Sequence, residues 1–159
     1  MIIGGSLFPL SSLKPALSLS EIILDTKITA LLNMAERRFP KKTLAAIRDG
    51  RILGIRAGTK PHRIIGIWAV VVEGRVFVRS YTLKERSWFR TFLEDPCGVI
   101  EVNSKHIRVR PVFTRSERLK NLVDRAYAEK FPTPGSRVFV EGFKEKKRRD
   151  TTTELVPLK

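Results

Sequence analysis

Cysteine occurs once in this chain, at Cys97. That excludes an intramolecular disulfide and any thiolate metal cluster built within one chain, and it fits a reducing cytosol, so the expected location is cytoplasmic. No base stands beside Cys97 in sequence, and it reads as a half-buried spectator rather than a nucleophile. Long apolar runs are missing too. The longest, Ile64 to Val72, is about half of the ~18–20 residues that a membrane helix requires, and no membrane partner is expected. Internal repeats, a Gly-rich phosphate loop, an HExxH metal motif and a GxSxG elbow are all absent. So are helix-turn-helix spacing, a zinc pattern and an aromatic RNA-binding strand signature. Histidine is scarce: His62 beside Pro61 and His106 after a turn read as exposed bystanders, and no metal site is expected. Acidic residues are the last shortage, with 16 Asp and Glu against 31 Lys and Arg, for a net charge of +15. Such an excess points to an anionic partner: a nucleic acid, an acidic surface or a phosphorylated ligand.

What remains is the composition of an ordinary globular chain, 42% apolar over 159 residues, long enough for one domain with a real core. Residues 1–33 stand apart. Their few charges, Lys14, Glu21, Asp25 and Lys27, cancel, so the whole excess lies in Met34 to Lys159. The segment has no basic start and no cleavage-site pattern of a signal peptide. It is expected to be an N-terminal extension, flexible or foreign to the native protein, with a short helix capped by Ser20. The domain is expected at 34–159.

From Thr43 onward the punctuation is regular. Thr43 is positioned to cap a helix that Gly50 ends. Arg51 to Ala57 and the β-branched run Arg63 to Val72 read as strands. Glu73-Gly74 is a two-residue hairpin turn into Arg75–Tyr81, where Val76, Val78 and Ser80 share one face and Phe77, Arg79 and Tyr81 the other. Thr82 to Glu85 matches a capping box ahead of a helix with Trp88, Phe89, Phe92 and Leu93 on one side. Val99–Val102 and Ile107–Phe113 form a hairpin about Asn103-Ser104. A second capping box, Thr114 to Glu117, opens a helix striped by Leu119, Leu122, Val123, Ala126 and Tyr127. That stripe is longer than one barrel needs, which predicts a homodimer; Asp124, Tyr127 and Lys130 on this helix read as packing or dimer residues. Arg137–Phe143 reads as a strand, Lys144–Asp150 as a charged connection, and Thr151–Val156 as the last strand. Short connections and many hairpins predict a mainly β or α+β fold: a small antiparallel split barrel with two or three peripheral helices.

The densest chemistry lies where one strand ends and the next helix begins. Arg79, Ser80, Lys84, Arg86, Ser87 and Trp88 combine cations, hydroxyls and an aromatic plane beside a helix N-terminus, an arrangement suited to a phosphorylated, flat ligand. The run Lys144, Lys146, Lys147, Arg148 and Arg149 offers the alternative, a basic non-enzymatic domain that binds nucleic acid through phosphate contacts.

GIWAVVVEGRVFVRSY followed by KERSWFRTFLEDPCGVIEV resembles the FMN-binding split barrels, the superfamily of pyridoxamine 5′-phosphate oxidase. More narrowly, RIIGIWAVVVEGRVFVRSY, SWFR, DRAYAEKF and TTTELVP resemble the uncharacterised domain of unknown function 2255 family, placed in that superfamily, over about Thr43 to Pro157. The resemblance implies a homodimer with FMN, or a related flavin such as deazaflavin, at the subunit interface, and an oxidoreductase acting on an unknown small molecule. It implies that Arg79 and Ser80 approach the flavin phosphate, that Lys84, Arg86 and Ser87 complete that site, and that Trp88 packs near the ligand. The chain has Lys84-Glu85-Arg86-Ser87 in place of the oxidase's compact Ser-Arg-Lys arrangement, so pyridoxamine phosphate oxidation itself is not implied. A cofactor-free dimeric split barrel is the remaining alternative.

Overall fold

The computed structural model describes residues 15–159. The chain divides into two compact units, Met1–Ala35 and Glu36–Lys159. The described part of the first is essentially one helix, α1 (Leu19–Glu36). Its start is set by Ser18 and not by the expected Ser20: the Glu21 N–H donates to Ser18 Oγ at 3.3 Å, while the Ser18 N–H donates to the Glu21 carboxylate at 2.8 Å. That reciprocal pair is a capping box. Among the described residues no helix is long and apolar enough to cross a membrane.

The second unit is a seven-stranded antiparallel sheet in the order β2-β1-β5-β6-β7-β4-β3. Its strands are β1 (Leu53–Ala57), β2 (Ile65–Ile67), β3 (Ala69–Val72), β4 (Arg75–Val78), β5 (Gly98–Val102), β6 (Lys105–Phe113) and β7 (Thr153–Pro157). The two strands at the ends of that order, β2 and β3, are consecutive pieces of one apolar run separated only by Trp68. The N-terminal piece pairs with β1 and the C-terminal piece with β4, so the sheet curls into a nearly closed barrel. The expected single strand from Arg63 to Val72 is thus two, and the break at Trp68 is the barrel's seam. Both predicted hairpin turns form, with left-handed backbone at Glu73 (φ 52°) and Gly74 (φ 70°), and at Asn103 (φ 49°) and Ser104 (φ 62°). Positive φ at both central residues matches the right-handed twist of the flanking strands.

Alternation along the strands sorts the side chains into two cores. Ile55, Val76, Val78, Ile100, Val109 and Leu155 fill the barrel with Trp88 and Phe92 from α3 (Trp88–Glu94). Phe77, Val70 and Val72 point outward from β4 and β3 to meet Leu119, Val123 and Tyr127 of α4 (Glu117–Lys130) and Val140 of α5 (Pro134–Gly142). The predicted stripe of α4 is therefore real, but it is used within the chain, on the outside of β3 and β4. Its length is not an argument for a second copy.

The described residues hold six helices, five of them in this second unit, where two or three were expected. Two of them replace expected elements. Arg137–Phe143 belongs to the α5 region and not to a strand: Thr133 caps the helix by accepting from the Ser136 N–H at 3.3 Å, and Pro134 occupies its first turn. Proline at that position is a helix-start signal, and buried Ser136 and Val140 lie four residues apart, as a helical face requires. The charged connection contains α6 (Lys146–Arg149). The helix α2 (Lys41–Asp49) starts after Pro40 with no side-chain cap, so Thr43 lies inside it, and Gly50 ends it as expected.

Candidate functional site

Pairing between β3 and β4 stops at Ala69–Val78. One step beyond, the backbones of Trp68 and Arg79 no longer meet. The Tyr127 hydroxyl stands between them, accepting from the Arg79 N–H and donating to the Trp68 carbonyl, each at 3.1 Å. Burial pushes the pKa of that phenol well above its ordinary value, because an ionised oxygen there would lose its water. The wedge holds the seam open, and β4 continues as a separate edge: the Ser80 N–H donates to Thr151 Oγ1 at 2.9 Å and Ser80 Oγ donates to the Thr82 carbonyl at 2.6 Å.

At this seam lies a groove of about 450 Å³. Its walls include Ile65, Gly66, Ile67 and Trp68 from the β2–β3 break, Arg79 to Thr82 from the end of β4, Trp88 from α3, and Phe139 and Phe143 from the α5 region. The volume falls within the range of ~300–1,000 Å³ typical of small-molecule sites. Five aromatic rings contribute. Trp68 is held flat against Phe131, with ring centroids 4.0 Å apart and planes 8° apart, and meets Phe139 edge-on. Trp88 packs edge-on against Phe92 at 5.9 Å, so it is at once a core residue and a wall. Tyr81 meets Phe139 and Phe143 edge-on at 5.2 and 5.7 Å.

The six residues singled out from sequence divide into three groups. Arg79, Ser80 and Trp88 line the groove. Lys84 and Arg86 lie in the exposed turn that leaves it, and among the described residues neither has an ion pair or a side-chain hydrogen bond. Ser87 is buried and caps α3, accepting from the Arg90 N–H at 3.3 Å. The capping box expected from Thr82 to Glu85 is not the helix start, since α3 begins only at Trp88.

Arg79 departs most from expectation. Its guanidinium is fully buried and turned away from solvent into the protein. Nε donates to Thr152 Oγ1 at 2.8 Å, Nη1 to the Phe143 carbonyl at 3.0 Å and to the Asp124 carboxylate, and Nη2 to the Lys120 carbonyl at 2.9 Å. These contacts tie the end of β4 to α4, α5 and the start of β7. The side chain expected to grip a phosphate is instead a structural tie, because Phe77, Arg79 and Tyr81 share the outward face, and α4 covers it at Arg79. Asp124 and Lys130, read as packing or dimer residues, are half-buried and bonded within the chain: Lys130 Nζ donates to the carbonyls of Ile47 and Ala69 at 3.0 and 2.7 Å, and burial lowers its proton affinity.

The basic run is engaged as well. Lys144 pairs with Glu141, Lys146 with Asp150, Arg148 with Glu145, and Arg149 with Glu117 and Asp124. Only Lys147 of the run has no ion pair among the described residues. Arg148 and Arg149 are half-buried, while Lys144, Lys146 and Lys147 stay exposed.

Residues 42–155 match the sequence pattern of a family described as "Uncharacterized protein conserved in bacteria (DUF2255)". The chain belongs to that family. No curated protein matches it significantly. Among solved structures it is similar to "conserved hypothetical protein Rv2991 from Mycobacterium tuberculosis", with a TM-score of 0.51 and 12% identity over 78% of this chain and 82% of that one. At such low identity the likeness concerns the fold, and it extends the DUF2255 chain's barrel to a second protein. Of the five rings in the groove, sequence reasoning named Trp88 and missed Trp68, Tyr81, Phe139 and Phe143. Trp68 is readable from sequence as core only, because nothing in an unbroken apolar run marks where a barrel seam will open.

Proposed function

We propose that this protein is a flavin-binding split barrel, a cytosolic homodimer that carries out two-electron redox chemistry on a small molecule. The observation that carries the reading is the groove at the seam: apolar, walled by aromatic rings, and continued by a turn whose two cations have no internal partner among the described residues. A flat tricyclic ring fits walls of this kind, where rigid aromatics supply area without losing conformational freedom. Trp68, Tyr81, Trp88 and Phe139 would hold the ring. Lys84 and Arg86 would meet the phosphate of FMN, in place of Arg79, whose donors are spent. Ser80 and Ser87 would keep the turn in position. A bound flavin supplies the hydride chemistry, while the protein orients it and excludes water. The exposed apolar side chains Ile52 (57%) and Phe139 (45%) at the groove's rim suit a second copy closing over the ligand.

The test compares FMN with riboflavin, which lacks the phosphate. Lys84→Ala combined with Arg86→Ala should weaken FMN by about 1.5–3 kcal/mol per lost charged hydrogen bond and leave riboflavin unchanged. Equal losses for both flavins would refute the phosphate assignment. Nucleic-acid binding has less support, because four of the five cations in the basic run already face carboxylates.

A further inference from the structure

Tyr81 lies at the end of β4's path, and a cation holds its ring. Arg148, from α6, places its guanidinium carbon 4.0 Å from the centre of that ring. Its Nε donates to the Tyr81 carbonyl at 2.8 Å, and its Nη1 to the Glu145 carboxylate at 2.6 Å. The arginine thus grips both the backbone and the ring of one residue, and Glu145 fixes the arginine. Gly142 completes the mount: a Cβ there would come within 2.8 Å of the Tyr81 ring, so any larger residue would have to push the ring aside. Phe139 and Phe143 meet the ring edge-on. Tyr81 nevertheless remains 36% exposed and lines the groove. A side chain clamped from several directions yet open to a cavity is a preorganised wall.

We infer that Arg148 is a positioning residue that fixes Tyr81 as a rigid wall of the groove, and that α6 thereby sets the groove's selectivity for planar aromatic ligands. The inference rests on the groove being a ligand site and deepens the flavin reading. It also gives the basic run a purpose that its sequence suggested only as a phosphate contact. A guanidinium over an aromatic face is a cation–π contact, favourable where it is shielded from water. A wall that is already ordered spares the ligand the cost of ordering it.

The experiment uses the full chain with two probes: FMN, and the aromatic sulfonate 1-anilinonaphthalene-8-sulfonate, whose emission reports an apolar groove whether or not flavin is the natural ligand. The chain has two tyrosines, so incorporated 3-fluorotyrosine should give two fluorine signals, and the buried Tyr127 serves as an internal control. Arg148→Ala should shift or broaden the Tyr81 signal alone. It should weaken the sulfonate probe, and FMN and riboflavin alike, by about 2.5- to twelvefold, the cost of ordering one side chain on binding. Arg148→Lys, which keeps a charge near the ring, should recover part of the loss, and Lys147→Ala should change nothing. An unchanged Tyr81 signal, or probe affinity within about twofold of the unmutated protein, overturns the inference. If the sulfonate responds as stated and FMN does not bind the unmutated protein, the inference stands for planar aromatic ligands and the flavin reading fails.

Discussion

Replacing Arg79 separates a ligand contact from a structural tie, and the structure sets the size of the effect. Its guanidinium makes four hydrogen bonds, one of them to a carboxylate, at a position with no side-chain exposure. Arg79→Met removes all four and leaves the Phe143 carbonyl short of a donor, while the Lys120 carbonyl keeps its place in the α4 ladder. Asp124 is only 19% exposed, but it keeps Arg149 at 3.3 Å, so it is not stranded altogether. Breaking one side of a buried pair costs about 3–5 kcal/mol. The remaining partner of Asp124 places Arg79→Met near the low end of that range, about 3 kcal/mol. That is a large share of the ~5–15 kcal/mol by which domains are stable. Urea unfolding at neutral pH should report it as a lower midpoint with an unchanged slope. The double variant Arg79→Met with Asp124→Leu should recover part of the loss, since it removes the buried charge that the single variant leaves half-paired. A loss below about 1 kcal/mol, the net worth of one ordinary hydrogen bond, together with selective loss of FMN over riboflavin, would refute the reasoning and return Arg79 to the phosphate.

Three other groups give outcomes of their own. Tyr127→Phe removes the hydroxyl that satisfies both Trp68 and Arg79, so it should cost about 1–3 kcal/mol by denaturation; no change would mean that the seam closes on itself. Cys97 should react slowly with an aromatic disulfide reagent near neutral pH, because burial, and then the hydrogen bond to Asp95, raise the thiol's pKa; Asp95→Asn should speed the reaction, and an equal rate would refute the assignment. Acid should unfold the protein through its paired carboxylates. Arg149 holds Glu117, and Lys146 with Lys120 holds Asp150, below the ordinary carboxylate range. A lowered folded pKa gives stability that is present above the unfolded value of ~4 and is lost as pH falls through the folded one. Midpoints in urea should therefore be flat above about pH 5 and fall below about pH 4, and Asp150→Asn should flatten that fall.

Local chemistry makes most of the barrel legible in the sequence. The two hairpin turns, the inward and outward faces of β4 and the stripe of α4 each depend on neighbours a few residues away, so the sequence alone carries them. What it does not carry depends on distant partners or on competing local signals. Arg79 has the same composition around it whether it faces solvent or α4; only the packing of α4 over β4 decides. Trp68 becomes a seam residue because β1 and β4 claim opposite ends of one strand, which no local pattern records. The strand expected over Arg137–Phe143 is a question of precedence: its Val and Phe content favours extension, whereas Thr133 and Pro134 favour a helix start, and the burial of Ser136 and Val140 on one helical face decides for the helix. At the turn after β4 the same split recurs among the cations and hydroxyls. Lys84 and Arg86 remain available to a ligand, while Arg79 and Ser87 serve the fold.

Titration of FMN into the unmutated full chain, followed by visible absorbance and Trp emission, decides whether the groove at the seam holds a flavin. A saturable change in both signals is expected at one flavin per chain, abolished in Thr82→Trp, which fills the groove from its exposed turn. No saturable change, or one that survives Thr82→Trp intact, would contradict the flavin reading.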